Sequence, residues 1–257
     1  MITVIECYNQ HMKNHLPFVI LPQPTNSTCG PTCLHAIYTY YDDKIDLDTV
    51  VKEVRALDEG GTLAVFLGCH ALQRGYKATI YTYNLQVFDP TWFNDGQAVA
   101  SIGHKLRAQA QVKTKNKLRT ATDGYLEFLE NGGKLCFSDL NGALIRKYLR
   151  NGIPILTGLS STYLHRCSRE NPITCEEDPI GGFTAGHFVV LYGYNKEEKM
   201  VDIAEPLIPN PLNRGQYYKE KIDRLICSIL LGILTYDANL LIIEKDEVMH
   251  DESDCCK

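Results

Sequence analysis

Cys29 stands where a helix should begin. In Thr28-Cys29-Gly30-Pro31 a proline falls near the first helical position, and Leu34, Ile37, Tyr38 and Tyr41 follow at helical spacing. A thiol on a first helical turn lies at the positive end of the macrodipole, which favours the thiolate, the nucleophilic form. Gly30 lets a substrate backbone come close, and the first-turn N–H groups can donate to a developing oxyanion. Gln23, six residues upstream, adds a side-chain amide that can point an N–H at the same oxyanion. Thiol, amide and helix N-terminus together suit acyl chemistry through a thioester, whereas a cysteine that only fills a core needs none of these neighbours.

The elements that must hold this group can be traced along the chain. The nucleophile helix is expected to end at Asp42-Asp43. A second helix should follow Asp46 with Val50, Val51 and Val54 inward, and a third should follow Thr62 with Leu63, Phe66, Cys69 and Leu72 inward, closed by Gly75. Tyr76 to Tyr83 alternates and reads as a strand, Asp89-Pro90-Thr91-Trp92 as a turn into another helix, and Tyr125 to Leu129 as a helix stopped by Gly132-Gly133. Gln97 to Leu118 is weakly amphipathic, and its Lys113, Lys115 and Lys117 read as a solvated face. The second half predicts strands over 134–137, 153–159, 187–194, 199–204 and 239–243, with a helix over 143–149 between the first two. Ser160 to Ala185 is polar and broken by Pro172, Pro179 and Gly181-Gly182, so it reads as an insertion or surface loop. Helices first and strands after imply an α+β fold, one domain over residues 1–257 with an insertion near 160–185.

Bulk composition removes several classes of function. A chain of 257 residues, 44% hydrophobic and 22% charged, can bury a real core without staples. A net charge of -5 carries no basic excess for phosphate binding, so no nucleic-acid partner is expected. Met1 to Gln10 includes Glu6 and no signal-like apolar run, and the most apolar window, Leu225 to Leu234, is too short to span a membrane and reads as a buried helix. The ten cysteines are then expected to be reduced thiols and the protein cytoplasmic, with export by a non-Sec route left open.

Gln-Pro-Thr-Asn-Ser-Thr-Cys-Gly-Pro-Thr-Cys-Leu, from Gln23 to Leu34, resembles the nucleophile segment of the bacteriocin-leader-processing cysteine peptidases. The resemblance implies a papain-like cysteine peptidase fold, with the nucleophile helix packed on an antiparallel sheet. It also implies a glutamine in the oxyanion hole, a histidine opening a later strand and an acid on the next one. Gly186-His187-Phe188-Val189-Val190-Leu191-Tyr192-Gly193-Tyr194 is similar to the histidine strand, which makes His187 the implied general base and acid. For the acid, Glu205 and Asp202 are both open. A hairpin centred on Lys196 would put Glu205 across from His187 and turn Asp202, opposite Val190, to the other face. Glu205-Pro206 also stands where the family has aspartate followed by proline, although glutamate is a departure. Gly60 to His70 and Gly232 to Leu240 look similar to stand-alone bacterial proteins of this type. The membrane and ATPase domains of exporter-linked members are not expected, the given sequence holding no phosphate-binding Gly-rich loop followed by lysine, and Thr28 replaces their usual aspartate.

Cys33 reads as core packing. His165, Cys167 and Cys175 lack a fourth ligand at a zinc-like spacing, so neither metal nor cofactor is expected. His35, His70 and His104 have no evident partner and read as structural or surface residues. The leading expectation is hydrolysis of a peptide or isopeptide amide by Cys29, His187, Glu205 and Gln23. Acyl transfer or glutamine deamidation by the same residues, and a non-catalytic peptide-binding module, remain open, as does oligomeric state.

Overall fold

The three N-terminal helices form where apolar spacing demanded them: α1 (Cys29–Tyr40), α2 (Leu47–Glu53) and α3 (Ala64–Gln73). This computed structural model describes residues 15–212 and 214–246, so the expectation for Met1 to Gln10 lies outside the described residues. After α3 come β1 (Lys77–Thr82), β2 (Phe93–Asn94), β3 (Gln97–Ala98), α4 (Ile102–Val112), α5 (Asn116–Glu130) and β4 (Lys134–Cys136). The second half supplies α6 (Gly142–Arg150), β5 (Ile155–Ser160), α7 (Ser161–His165), β6 (Gly186–Asn195), β7 (Met200–Ala204), β8 (Tyr217–Lys221), α8 (Ile222–Leu231) and β9 (Asn239–Glu244).

The strands form one sheet in the order β2-β3-β4-β1-β9-β5-β6-β7-β8. Among these described strands only β1 and β4 pair in parallel; every other neighbouring pair is antiparallel. Both faces are covered, which explains why β5, β6 and β9 read as nearly unbroken apolar runs. Alternate residues serve opposite layers. Leu241, Ile243, Phe188 and Val190 pack with α1, α3 and α5 on one face, while Leu240, Ile242, Val189 and Leu191 pack with α6 and α8 on the other. The α+β class therefore holds, with β1 falling where a strand was expected and the short β2 and β3, not expected as strands, joining the same sheet.

Some expectations change with tertiary contact. Pro90–Trp92 is a single 3-10 turn leading into the β2–β3 hairpin, and helix resumes only at Ile102. The window 225–234 is not buried throughout: Leu225 and Ile229 face the core, whereas Leu230, Leu231 and Leu234 are exposed. The polar stretch after Ser160 opens with α7, a helix too short for periodicity to reveal. β8 was unforeseen because Tyr-Tyr-Lys-Glu-Lys alternates around a buried glutamate, Glu220. His70 has partners after all, Tyr38 Oη at 2.8 Å and Glu53 at 3.0 Å, in a cluster on the α1, α2 and α3 side. The seven cysteines among the described residues are free.

Two glycines open the sheet face beside the start of β6. A Cβ at Gly158 would meet Asp237 O at 2.6 Å and Phe188 Cε1 at 2.9 Å, and one at Gly186 would fall 2.0 Å from Asp237 Oδ2. The turn before β9 can seat Asp237 there only because both positions lack a side chain. Gly158→Ala should therefore lose about 1–3 kcal/mol through overpacking, read as a lower urea midpoint at unchanged slope.

Candidate functional site

Cys29 is the first residue of α1, with Thr28 as its N-cap, so its N–H and that of Gly30 belong to the turn with no intrahelical acceptor. The Thr28 hydroxyl does not cap the helix. It donates to Thr25 O at 3.0 Å and accepts from Thr25 N–H at 3.0 Å, stapling the turn that delivers the thiol. Gln23 Nε2 donates to the same Thr25 carbonyl at 2.8 Å, using one of its two protons, and Gln23 Oε1 is buried without a hydrogen-bond partner. The backbone N–H of Gln23 donates to Pro206 O at 2.8 Å. The nucleophile segment is thus tied directly to the residue after Glu205.

His187 lies near the start of β6, is buried, and is hydrogen-bonded to the Cys29 side chain. Its Nε2 is 2.5 Å from Glu205 Oε1, which leaves Nδ1 for the thiol; a carboxylate can only accept, so Nε2 carries a proton. Glu205 is fully buried and accepts from four groups. Besides His187, these are Leu207 N–H at 3.1 Å, Tyr218 Oη at 3.2 Å and His165 Nε2 at 3.1 Å. Asp202 is elsewhere: it pairs with Gly193 and contacts His15 Nδ1 at 3.1 Å.

The structure brings Glu205 to His187 by a different register from the one expected. Asn195 Oδ1 accepts from Glu197 and Glu198 N–H, and Lys199 adopts a left-handed φ of 53°, so the turn spans 196–199 instead of centring on Lys196. Asp202 therefore faces Gly193 rather than Val190. A bulge between Leu191 and Gly193 resets the ladder so that Ala204 pairs with Val190. One more step would put Glu205 opposite Val189, on the same face as His187 but two residues along. A diagonal gap of that kind is within reach of a long side chain. The extra methylene of glutamate fits the gap an aspartate would leave open.

Charge distribution follows from this packing. Burial opposes a charged imidazole, yet Glu205 and Cys29 together hold the His187 pKa well above its ordinary value. Burial would likewise raise Glu205, but the His187 charge and hydrogen bonds from His165 and His187 hold its carboxyl well below the usual range. Burial and the Glu205 charge push the Tyr218 phenol up, keeping it a donor. Asp237, hydrogen-bonded by Thr235 Oγ1 at 2.7 Å, is pushed up to about 7 by burial against opposing effects of Thr235, Lys117 and His187. Burial also raises Cys33, whose thiol donates to Phe188 O at 3.3 Å, so this second thiol on the helix is a packed neighbour.

His165 and Tyr218 are the site residues that sequence reasoning missed. In sequence His165 offers only a zinc-loop reading, and its Ser160 helix cap is too common a signal to mark it. Nothing in the composition of β8 points Tyr218 at a carboxylate. No helix among the described residues is long and apolar enough to cross a membrane.

No curated protein matches the chain. Among solved structures, a C39-like peptidase from Bacillus anthracis is 14% identical with a TM-score of 0.46, over 91% of this chain and 98% of that one. A double-glycine-motif protease from an AMS/PCAT transporter, in complex with the leader peptide, is 14% identical at 0.44, over 91% and 95%. The peptidase domain of Streptococcus ComA, a bifunctional ABC transporter of a quorum-sensing pathway, is 10% identical at 0.43, over 88% and 98%. The model of the Peptidase_C39 like family matches residues 3–224, and the chain belongs to that family.

Proposed function

We propose that this protein is a cysteine-dependent hydrolase that cleaves a peptide or isopeptide amide through a thioester. The observation that carries the reading is His187, hydrogen-bonded to Cys29 on one side and to the buried Glu205 on the other. The imidazole beside the Cys29 thiol is placed to take its proton, and Cys29 opens the first turn of its helix.

In the proposed sequence, Cys29 Sγ attacks the amide carbon, and the C=O electron pair moves onto oxygen. The Cys29 N–H and the second Nε2 proton of Gln23 receive the oxyanion. His187 Nδ1 gives its proton to the leaving nitrogen as the C–N bond breaks, and a thioester remains. Nδ1 then takes a proton from water, whose oxygen attacks the thioester. Sγ departs as thiolate and the acid product leaves. Glu205 keeps the Nε2 tautomer and orients the ring throughout, the part a carboxylate plays in related triads.

Cys29→Ala should abolish turnover of any amide substrate, and His187→Ala should lower kcat by at least about 10³-fold; full activity in the Cys29 variant would sink the assignment. Gln23→Ala should lower kcat about 10²-fold with little change in KM, as loss of one oxyanion donor does. Mass spectrometry of the trapped acyl-enzyme, chased with water or an amine, tells hydrolysis from acyl transfer. Stability carries a further signature. Because the folded Glu205 carboxyl lies below its unfolded value, its contribution is complete above about pH 5 and is lost as pH falls through about 4 and lower. Glu205→Gln should flatten that acid limb in urea titrations at successive pH values.

A further inference from the structure

His165 is a second buried histidine on the carboxylate that serves His187. Its Nε2 meets Oε2 of Glu205 at 3.1 Å, while His187 occupies Oε1, and the two rings stand 5.9 Å apart on either side of one carboxylate. The carboxylate accepts, so His165 must present Nε2–H to it. A histidine needed only for volume would be replaced at lower cost by an apolar side chain, since burying an imidazole requires compensating hydrogen bonds.

The chain path adds a second reason. α7 ends at His165 because Arg166 turns left-handed at φ 55°, and the loop that follows returns to His187. Both ends of that loop are stapled: Ser161 N–H donates to Ala185 O at 3.0 Å, and Ala185 N–H to Thr162 Oγ1 at 3.0 Å. The two histidines on Glu205 are therefore the two ends of one loop. A terminal carboxylate torsion is broad, so a single donor does not fix which way Glu205 faces.

We propose, on the reading above, that His165 is a positioning residue for the Cys29–His187 pair: by holding Oε2 of Glu205 it keeps Oε1 on Nε2 of His187. Tyr218 assists at the same oxygen. The other ionisable groups in the field of His187 are Cys29 on α1, Asp237 before β9 and Glu170 in the loop after α7, while Cys33 lies in the field of Glu205. Burial pushes the Asp237 carboxyl up to about 7, so the test belongs at lower pH.

Iodoacetamide alkylation, mapped by mass spectrometry between about pH 4 and 6 on the full chain, reads the pair without a known substrate. Wild-type Cys29 should outpace the exposed Cys175 and Cys227, and His187→Ala should remove the advantage. If neither holds, the proposed function fails and takes the positioning role with it. With those controls met, His165→Leu should slow acid-limb labelling of Cys29 about tenfold, the scale on which orienting partners act, and His165→Gln, which restores an N–H near the same place, should recover most of it. A folded His165→Leu with the wild-type pH profile overturns the inference and leaves the hydrolase reading standing. Should that variant not fold, NMR of the wild-type protein decides: a persistent Nε2-bound proton on His165 over this range supports the role, and the opposite tautomer overturns it.

Discussion

A single buried carboxylate organises one end of this molecule. Glu205 is wholly removed from water, and an unpaired charge there would cost several kcal/mol. Four donors from four stretches of chain meet that requirement: the His187 ring from β6, the His165 ring from α7, the Tyr218 phenol from β8 and the Leu207 N–H from its own turn. The carboxylate cannot be solvated by these groups unless β6, β7, β8 and α7 are all in place. Satisfying a charge and assembling a site are here the same event.

That constraint reaches the nucleophile through two links. One is His187 itself, whose second nitrogen faces Cys29. The other is the backbone hydrogen bond from Gln23 to Pro206, which pins the segment before α1 to the residue following Glu205. Between them the turn at Thr25 and Thr28 holds the helix N-terminus by side-chain to backbone bonds instead of an ordinary cap. The helix itself is anchored on the sheet face formed by Phe188, Val190 and Tyr192. The first residue of the helix, Cys29, thereby lies beside His187 at the start of β6.

The two-sided burial of the sheet explains how such a polar group is tolerated. Apolar layers on both faces carry the fold, so one end of β6 can hold ionisable residues without weakening the centre. Glycines at 158 and 186 extend the polar end by admitting Asp237 next to His187. His187, Glu205 and Asp237 are buried in one field, so each shifts the others and they titrate as a coupled set.

Local signals sufficed to pick out the residues proposed to act directly. Cys29 was legible because helix-start chemistry is written in adjacent residues, and Gln23 because it lies within one turn of chain. His187 and Glu205 were legible through a resemblance and through strand alternation. The register that joins them was not, because Asn195 displaced the turn and a bulge at Leu191 to Gly193 reset it, and neither event leaves a pattern of period two. His165 and Tyr218 were invisible for a different reason. Their importance lies in touching a carboxylate 40 and 13 residues away, and no local periodicity encodes a contact at that separation. The sequence by itself determined which side chains could be proposed for the chemistry, since that depends on atom types and near neighbours. Only the tertiary structure decided which acid serves the histidine and what holds that acid still, because burial and long-range hydrogen bonding exist only once the strands have paired.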